Sequence, residues 1–251
     1  MAPFLLITDL DNTLVGDDSA LQELNSVLQP HRQQYGTQLV YSTGRSLTSY
    51  RHLASEQPLL PPDILVSAVG TEIYYSDRDT PDPLWSEKLS QGWDREQIVA
   101  AAAHFSNLTP QPDSEQRPFK VSYYLTEQAA EEVIPQLQAM LHDRDLNLQF
   151  IYSGGKDFDI LPAHANKGNA MTFVRQQLGV DPSRTIACGD SGNDLALFVD
   201  REERGIVVGN AMPELLTWHH ANPNPNRYLA TGRCAGGILE GLRHFGFLPQ
   251  S

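Results

Sequence analysis

Short apolar runs alternate with amphipathic stretches along the first third of the chain. The runs at residues 4–8, 37–41 and 64–68 are bounded by polar residues, which predicts buried strands. Between them, leucine and valine recur at helical spacing in residues 17–28, and residues 46–55 form a second helical stretch. Strands separated by helices in this way predict a parallel sheet whose ligands lie beyond the carboxyl ends of its strands.

The pattern changes after about residue 75 and returns near residue 166. The segment between them carries strand and helix patterns around a glycine-centred hairpin, which predicts a small α+β module. Its predicted elements are helices 94–105 and 127–141 and strands 120–125, 147–153 and 158–161. The later elements are predicted as helices 167–178 and 194–198 and strands 184–188 and 205–208. We therefore predict an α/β fold, in which residues 1–82 and 162–251 form a doubly wound parallel sheet core and residues 83–161 a smaller inserted α+β domain.

Composition narrows the classes of function. The chain has 251 residues, of which 40% are hydrophobic and 20% charged, as is usual for a globular protein. A formal net charge of -13 argues against nucleic acid as a partner. No apolar run approaches the ~18 residues of a membrane span, and the start of the chain lacks the pattern of a signal peptide, so we expect a cytoplasmic protein. The two cysteines, Cys188 and Cys234, are expected to be packing residues.

Two carboxylates follow the first predicted strand. Asp9 and Asp11 stand two residues apart, and alternate residues of extended backbone point the same way. Both can then face one site and share Mg²⁺, a cation that prefers oxygen ligands. A carboxylate held beside Mg²⁺ can also attack phosphorus. Taken alone, the segment is explained equally well as a turn rich in Asp and Asn.

Residues suited to binding phosphate follow two other elements. Thr43 and Gly44 come after the second strand, where a hydroxyl and free backbone N–H groups form an anion cradle; a threonine helix cap is an equal alternative. Lys167 opens a predicted helix, against the helix dipole, so an anion such as phosphate is expected beside it. A solvated surface lysine is the alternative for that position.

A further acidic segment follows the predicted strand at residues 184–188. Asp190 leaves the strand, and Asn193 and Asp194 open the next helix, so three oxygen ligands can converge on one cation. A helix cap explains one of the two aspartates, but not easily both. Because all four segments lie at strand or helix ends, where an open α/β sheet gathers its site, we favour one shared site over unrelated turns.

These segments resemble the motifs of the haloacid dehalogenase superfamily of phosphatases. The resemblance implies that Asp9 is the nucleophile and Asp11 the general acid/base. It also implies that Thr43 and Lys167 hold the transferring phosphoryl group. The motifs that carry it are residues 9–13, 43–45, 167 and 189–194.

The same resemblance implies a Mg²⁺ site. Asp9 and Asp190 are the implied carboxylate ligands, and the backbone carbonyl of Asp11 is a further one. Asn193 and Asp194 are implied either as metal ligands or as residues that support them. The metal-binding set expected from the sequence is Asp9, Asp11, Asp190 and Asp194.

Within that superfamily the chain resembles most closely the sucrose-phosphate phosphatase family. The resemblance implies hydrolysis of sucrose 6-phosphate, an inserted domain that recognises the sugar and, with no further domain after Ser251, the short form of the family. At position 12 many members of the superfamily carry glycine, whereas this chain has Asn12 and resembles the sucrose-phosphate phosphatase family there. The segments that carry the resemblance are residues 6–13, 67–74, 119–123 and 153–162. The substrate-binding residues expected are Thr43, Gly44, Arg45, Glu72, Lys120, Lys156, Asp157, Asp159 and Asn193.

Other activities stay open at this point. The core motifs do not separate sucrose 6-phosphate from trehalose, mannosyl or glucosylglycerate phosphates. A phosphohexomutase would need a second basic cluster in the insert, where basic residues are scattered, and a catalytically silent regulator would not need all four chemical positions filled. A monomer is the default expectation, and a sucrose-phosphate synthase is the protein partner that the resemblance suggests.

Overall fold

The structure is a computed structural model that describes residues 2–142 and 144–250. It contains two units: the core unit, Met1–Pro81 with Asn166–Ser251, and the insert unit, Asp82–Ala165. The insert unit ends later than residue 161, the predicted boundary, because residues after its last strand bond back to it. Ala163 donates its N–H to the carbonyl of Asn147 at 2.9 Å.

The elements are numbered along the chain. The strands are β1 (Leu5–Thr8), β2 (Gln38–Ser42), β3 (Ile64–Ser67), β4 (Glu72–Tyr75), β5 (Thr109–Pro110), β6 (Val121–Tyr124), β7 (Leu148–Ser153), β8 (Asp157–Pro162), β9 (Thr185–Gly189), β10 (Arg204–Val207) and β11 (Arg227–Leu229). The α-helices are α1 (Asp18–Tyr35), α2 (Leu47–Glu56), α3 (Pro83–Ser90), α4 (Arg95–Ala102), α5 (Glu127–His142), α6 (Lys167–Gln177), α7 (Pro213–Ala221) and α8 (Cys234–His244). Short 3₁₀ turns span Ala68–Gly70, Pro182–Arg184 and Gly192–Leu197.

The core unit is built on one sheet, which over the described residues has seven strands in the order β11-β10-β9-β1-β2-β3-β4. Each neighbouring pair is parallel except β3 with β4. Leu5, Leu6 and Ile7 of the central strand β1 are fully buried, as expected of a parallel sheet covered on both faces. The predicted α/β fold with a parallel core sheet is confirmed.

The antiparallel edge strand β4 was not predicted. Ile64 of β3 pairs with Tyr75 of β4, because the chain reverses direction through the turn Ala68–Gly70. The sequence pattern predicted the third strand at residues 64–68 and no further strand before residue 75. Pairing between strands depends on contacts that a local apolar pattern does not contain.

Helix α1 is longer than its apolar pattern predicted. Asp17 caps it by accepting the N–H of Ala20, and it continues through Pro30 to a left-handed Gly36. The prediction ended near residue 28 because the apolar residues at helical spacing end there. Pro30 lies inside the helix, although proline removes a backbone donor and usually ends a helix. The last turns persist because His31 is buried against Phe4, with ring centroids 5.0 Å apart.

The insert unit is an antiparallel sheet with helices on one face. Over the described residues its strand order is β5-β6-β8-β7. Ile98 of α4 and Leu137 of α5 share a buried apolar cluster with Tyr123, Phe158 and other residues of the sheet. Because side chains alternate along a strand, the opposite face carries polar residues.

Three helices escaped prediction. Helix α3 begins with Pro83 in its first turn and buries Trp85 completely, while α7 and α8 follow the last predicted strand. The predicted helix at residues 194–198 is instead part of the 3₁₀ turn Gly192–Leu197. Among the described residues no helix is both long enough and apolar enough to cross a lipid bilayer.

Candidate active site

The site lies where three central strands end. Strands β9, β1 and β2 are neighbours and parallel, so the loops that follow them meet at one edge of the sheet. Those loops carry the aspartates and the threonine that the sequence singled out. The structure thus brings together the segments at residues 9–13, 43–45 and 190–194.

Three buried carboxylates form a cluster in these loops. Asp9, Asp190 and Asp194 each offer an oxygen atom, and these atoms lie within 4.8 Å of one another. Burial, assisted by the charges of Asp194 and Asp190, raises the pKa of Asp9 to about 7 despite Lys167. Burial also raises the pKa of Asp190 to about 6. Like charges held this close favour either a proton or a cation, and oxygen donors of this type suit a hard divalent ion.

Lys167 is the positive partner of the cluster. Its side chain is fully buried, and Nζ donates to Asp9 Oδ1 at 2.6 Å, Asp194 Oδ1 at 2.7 Å and Asn193 Oδ1 at 3.0 Å. Burial alone would lower the pKa of Lys167, but Asp194 and Asp9 outweigh it and raise that pKa. The surface-lysine alternative is therefore excluded, and the unfavourable position at a helix start is offset by carboxylates of the protein itself.

Asp194 organises the loop around it. Its Oδ2 accepts the backbone N–H of Asp190 at 3.0 Å and of Ser191 at 3.1 Å, and its Oδ1 accepts from Lys167. Ser191 and Asp194 form a capping box at the start of the 3₁₀ turn. Both oxygens of Asp194 are thus engaged in contacts that position its neighbours.

Asp11 lies outside the acidic cluster. Arg45 Nε donates to its Oδ2 at 2.8 Å and Arg45 Nη2 to its Oδ1 at 2.7 Å, a bidentate pair. The expectation that Asp9 and Asp11 share a cation assumed extended backbone, but β1 ends at Thr8. Asn12 is left-handed, with φ 58°. The turn explanation holds for residues 12–14, which directly follow the two carboxylates, and the catalytic-loop explanation stays a prediction.

An open cavity of about 460 Å³ adjoins these residues. It is lined by Asp9, Asp11, Gly44 and Arg45 among others. Thr43, which precedes the lining residue Gly44, is fully buried, and its hydroxyl accepts the N–H of Arg45 at 3.1 Å. The cavity is therefore bounded by the acidic loops on one side and by the predicted anion cradle on the other.

Two lining residues were missed by the sequence analysis. Met212 and Glu214 border the same cavity at the start of α7. Met212 donates its N–H to the carbonyl of Asp190 at 2.7 Å, and Glu214 accepts the N–H of Gly192 at 3.3 Å. Their position after β10 is the signal that could have found them, because β10 ends at the same edge of the sheet.

Glu72 is not among the described residues that line the cavity. It is buried on β4, where its Oε2 accepts from the Ser67 hydroxyl at 3.2 Å and the Tyr74 hydroxyl at 3.0 Å. These contacts hold the Glu72 side chain at the β3–β4 edge of the core sheet.

The candidate sugar-binding residues of the insert unit lie together on it. Lys120 and Asp159 form a largely buried ion pair at 3.3 Å, and Asp157, two residues away on β8, accepts from Gln111 at 3.0 Å. Residues two apart on a strand share a face, so this side of the sheet is polar. Lys156 is exposed in the turn formed by Gly154 and Gly155, whose φ values are 59° and 66°.

The fold and the strand-end site define a haloacid dehalogenase-like α/β protein. A haloacid dehalogenase-like hydrolase from Bacillus subtilis has a similar fold at 19% identity, with a TM-score of 0.71 over 97% of this chain and 92% of that one. The sucrose-phosphatase from Synechocystis, solved in complex with sucrose and phosphate, is 44% identical with a TM-score of 0.86 over 100% of both chains. The family model for sucrose-6F-phosphate phosphohydrolase matches residues 2–246, and the chain belongs to that family.

Curated relatives differ in length. Sucrose-phosphatase 2 from Nicotiana tabacum is 40% identical over 100% of this chain, which spans 61% of the tobacco protein. Mannosylfructose-phosphate phosphatase from Agrobacterium fabrum is 33% identical over 98% of both chains.

Proposed function

We propose that the protein is a Mg²⁺-dependent phosphatase that hydrolyses sucrose 6-phosphate to sucrose and inorganic phosphate. One arrangement carries this proposal: Asp9 stands at the cavity with Lys167 on one oxygen and Asp190 beside it. The Synechocystis relative, whose structure holds sucrose and phosphate, supports the choice of substrate.

The residues fit a bound Mg²⁺. Lys167 supplies one positive charge against three clustered carboxylates, so the cluster has charge left to balance. We assign Asp9 and Asp190 as the carboxylate ligands and Asp194 as the residue that orients Lys167 and the 190–191 backbone, because both of its oxygens are engaged there. When bound, Mg²⁺ supplies positive charge beside the phosphoryl oxygens.

In the first step a carboxylate oxygen of Asp9 attacks phosphorus, and the bond from phosphorus to the sugar oxygen breaks. Asp11 gives its proton to that oxygen, so sucrose leaves neutral. Asp11 then takes a proton from water, which hydrolyses the aspartyl-phosphate and regenerates Asp9. This sequence requires Arg45 to release at least one oxygen of Asp11, since it engages both in the described state.

The phosphoryl group is held by charge and by hydrogen-bond donors. Lys167, the Thr43 hydroxyl and the backbone N–H of Gly44 are the proposed donors, with Asn193 at the rim. Asn193 accepts from Lys167 and so also steadies the lysine. Because the protein does little covalent chemistry beyond the attack by Asp9, these contacts should carry much of the rate.

The sugar is assigned to the polar face of the insert sheet. Lys120, Asp157 and Asp159 would form hydrogen bonds with its hydroxyl groups, and the exposed Lys156 would be the fourth residue that contacts the sugar. A site built from such partners rejects analogues that lack the matching hydroxyl. In the core unit, Arg45 is the proposed substrate contact once it leaves Asp11, while the two hydroxyl contacts of Glu72 argue for a supporting role.

The test is phosphate release from a panel of sugar phosphates, with Mg²⁺ and with a chelator. Sucrose 6-phosphate should be hydrolysed with a higher kcat/KM than glucose 6-phosphate or fructose 6-phosphate, and only with Mg²⁺. Lys156→Ala should reduce the ratio of kcat/KM for sucrose 6-phosphate to kcat/KM for the monosaccharide phosphates. No release from any member refutes the enzyme, and no preference for the disaccharide refutes the substrate.

A second candidate substrate is a mannosylfructose phosphate, because the Agrobacterium relative matches both chains over 98% of their length. Including it in the panel separates the two. Activity that required added sugar bisphosphate would indicate a mutase instead. We propose a monomer as the working form, which size-exclusion chromatography with and without a sucrose-phosphate synthase would check.

A further inference from the structure

We propose that the turn Ala68–Gly70 is a positioning device, called here the wedge, that holds the phosphate-binding loop and Lys167 in register, with Val69 as its positioning residue. This inference rests on the proposed function, because it assigns the wedge to the elements that would hold phosphate. The three consecutive residues Ala68, Val69 and Gly70 all have positive φ, at 46°, 60° and 92°.

The first observation is the cost of this backbone. Left-handed conformation is routine for glycine and tolerated by asparagine, but it crowds the side chain of a β-branched residue. Val69 nevertheless adopts φ 60° and ψ 29°. Such outliers persist only when surrounding structure enforces them, and they cluster at functional sites.

The second observation is what the wedge contacts on one side. Ala68 donates its N–H to the carbonyl of Arg45 at 2.9 Å, and Val69 donates to the carbonyl of Thr43 at 3.1 Å. The Cγ2 atom of Val69 lies 3.9 Å from the position that a Cβ on Gly44 would take. The wedge thus contacts all three residues of the proposed phosphate-binding loop, 43–45.

The third observation is what the wedge contacts on the other side. A Cβ on Gly70 would lie 2.5 Å from the carbonyl carbon of Asn166 and 3.0 Å from the backbone nitrogen of Lys167. The backbone of Gly70 therefore packs directly against the start of α6. Lys167 is the residue that donates to Asp9, so the wedge contacts the backbone of both segments that carry the groups proposed to hold phosphate.

These contacts explain why the strain can be useful. The backbone bonds of Ala68 and Val69 fix the carbonyls of Arg45 and Thr43, and the Val69 side chain occupies the space next to Gly44. A glycine at position 69 would adopt the same φ at no steric cost, yet it would leave that space empty and free the turn to move. Fold stability and phosphate binding should therefore respond differently to the substitution.

The test is Val69→Gly, with Asp200→Gly as the matched control. Asp200 is exposed and has φ 52°, so its substitution also relieves a left-handed residue, and among the described residues none of the hydrogen bonds or ion pairs given above for the site involves it. Thermal unfolding, kcat, KM and inhibition by inorganic phosphate are measured for both variants and the wild type. Amide hydrogen exchange of residues 43–46 is followed in parallel.

We expect Val69→Gly to keep or raise Tm while kcat/KM falls at least about tenfold, equivalent to about 1.4 kcal/mol of transition-state stabilisation. Inhibition by phosphate should weaken, and amide exchange at residues 43–46 should become faster. In Asp200→Gly, kcat/KM, phosphate inhibition and amide exchange should equal those of the wild type. A kcat/KM within twofold of wild type, or a fall in Tm that parallels the loss of activity, overturns the positioning role. The exchange comparison tests the wedge even if the wild type releases no phosphate, an outcome that refutes the proposed function alone.

Discussion

Replacing Lys167 by methionine should destabilise the metal-free protein in a pH-dependent manner. The substitution keeps an unbranched side chain of similar length but removes the charge that Asp9 and Asp194 share. The Asp9 side chain is 7% exposed and that of Asp194 is fully buried, so water cannot replace the lost partner. Removing one member of such a buried pair typically costs about 3–5 kcal/mol.

The sign of the pH effect follows from Asp9. In the wild type its pKa is about 7, and Lys167 lowers it, so the variant must have a higher one. A carboxyl group with a raised pKa loses stability as pH rises, because the folded state binds the proton more tightly than the unfolded state. The pH-dependent part of the variant's loss of unfolding free energy is therefore small below about pH 7. Above that pH it grows by up to about 1.4 kcal/mol per pH unit, until the higher pKa of Asp9 in the variant is passed.

Urea unfolding at pH 6 and pH 8.5 with a chelator measures this difference. We expect Lys167→Met to lose about 3–5 kcal/mol of unfolding free energy at pH 8.5, and about 1–2 kcal/mol less at pH 6. Lys156→Met is the control, since Lys156 is exposed in a turn and should change stability by less than about 0.5 kcal/mol. An equal loss at both pH values, or one under about 1 kcal/mol, would refute the assignment of Lys167 as the counter-charge of the cluster.

Three more outcomes follow from the site and its supports. The rise in Tm caused by Mg²⁺ should be larger at pH 8 than at pH 5.5, because Asp9 and Asp190, with pKa values of about 7 and 6, must lose their protons to bind the ion. The apparent affinity for Mg²⁺ should fall roughly 100-fold from pH 8 to pH 5.5. Equal rises in Tm at the two pH values would contradict this. Gly168→Ala should destabilise the protein in urea titration, because its Cβ would meet a backbone oxygen at 1.8 Å, whereas Gly236→Ala, in ordinary contact within α8, should be neutral or stabilising by about 0.5–1 kcal/mol. Asp11→Asn should lower kcat about 100-fold or more while phosphate inhibition persists, as a change in proton transfer alone requires.

Local patterns were enough to locate the central part of the site. Strands β1, β2 and β9 are short apolar runs, and each is followed at once by polar residues with a distinct chemistry. Parallel strands separated by helices must end at one edge, so Asp9, Thr43 and Asp190 could be placed together without coordinates. The coarse fold and the meeting of these loops were therefore predictable.

What escaped prediction depends on contacts between distant segments. Arg45 forms a bidentate ion pair with Asp11, which is next to the left-handed Asn12 in the chain. Helix α8 is rich in glycine and has poor intrinsic helix propensity, yet it forms and packs closely on β10. A Cβ on Gly241 would lie only 2.6 Å from the side chain of Ile206. The close approach of α8 to the sheet is a property of the packed structure, and the sequence alone does not predict it.

The most direct measurement is the rate of phosphate release from sucrose 6-phosphate at saturating Mg²⁺, compared between the wild type and Asp9→Asn. Asparagine keeps the shape of Asp9 and an oxygen that can accept from Lys167, but it is no longer a competent nucleophile. We predict turnover by the wild type and a loss of at least about 1,000-fold in the variant. An Asp9→Asn protein that retained activity within tenfold of the wild type, or a wild type that left sucrose 6-phosphate intact, would contradict the proposed function.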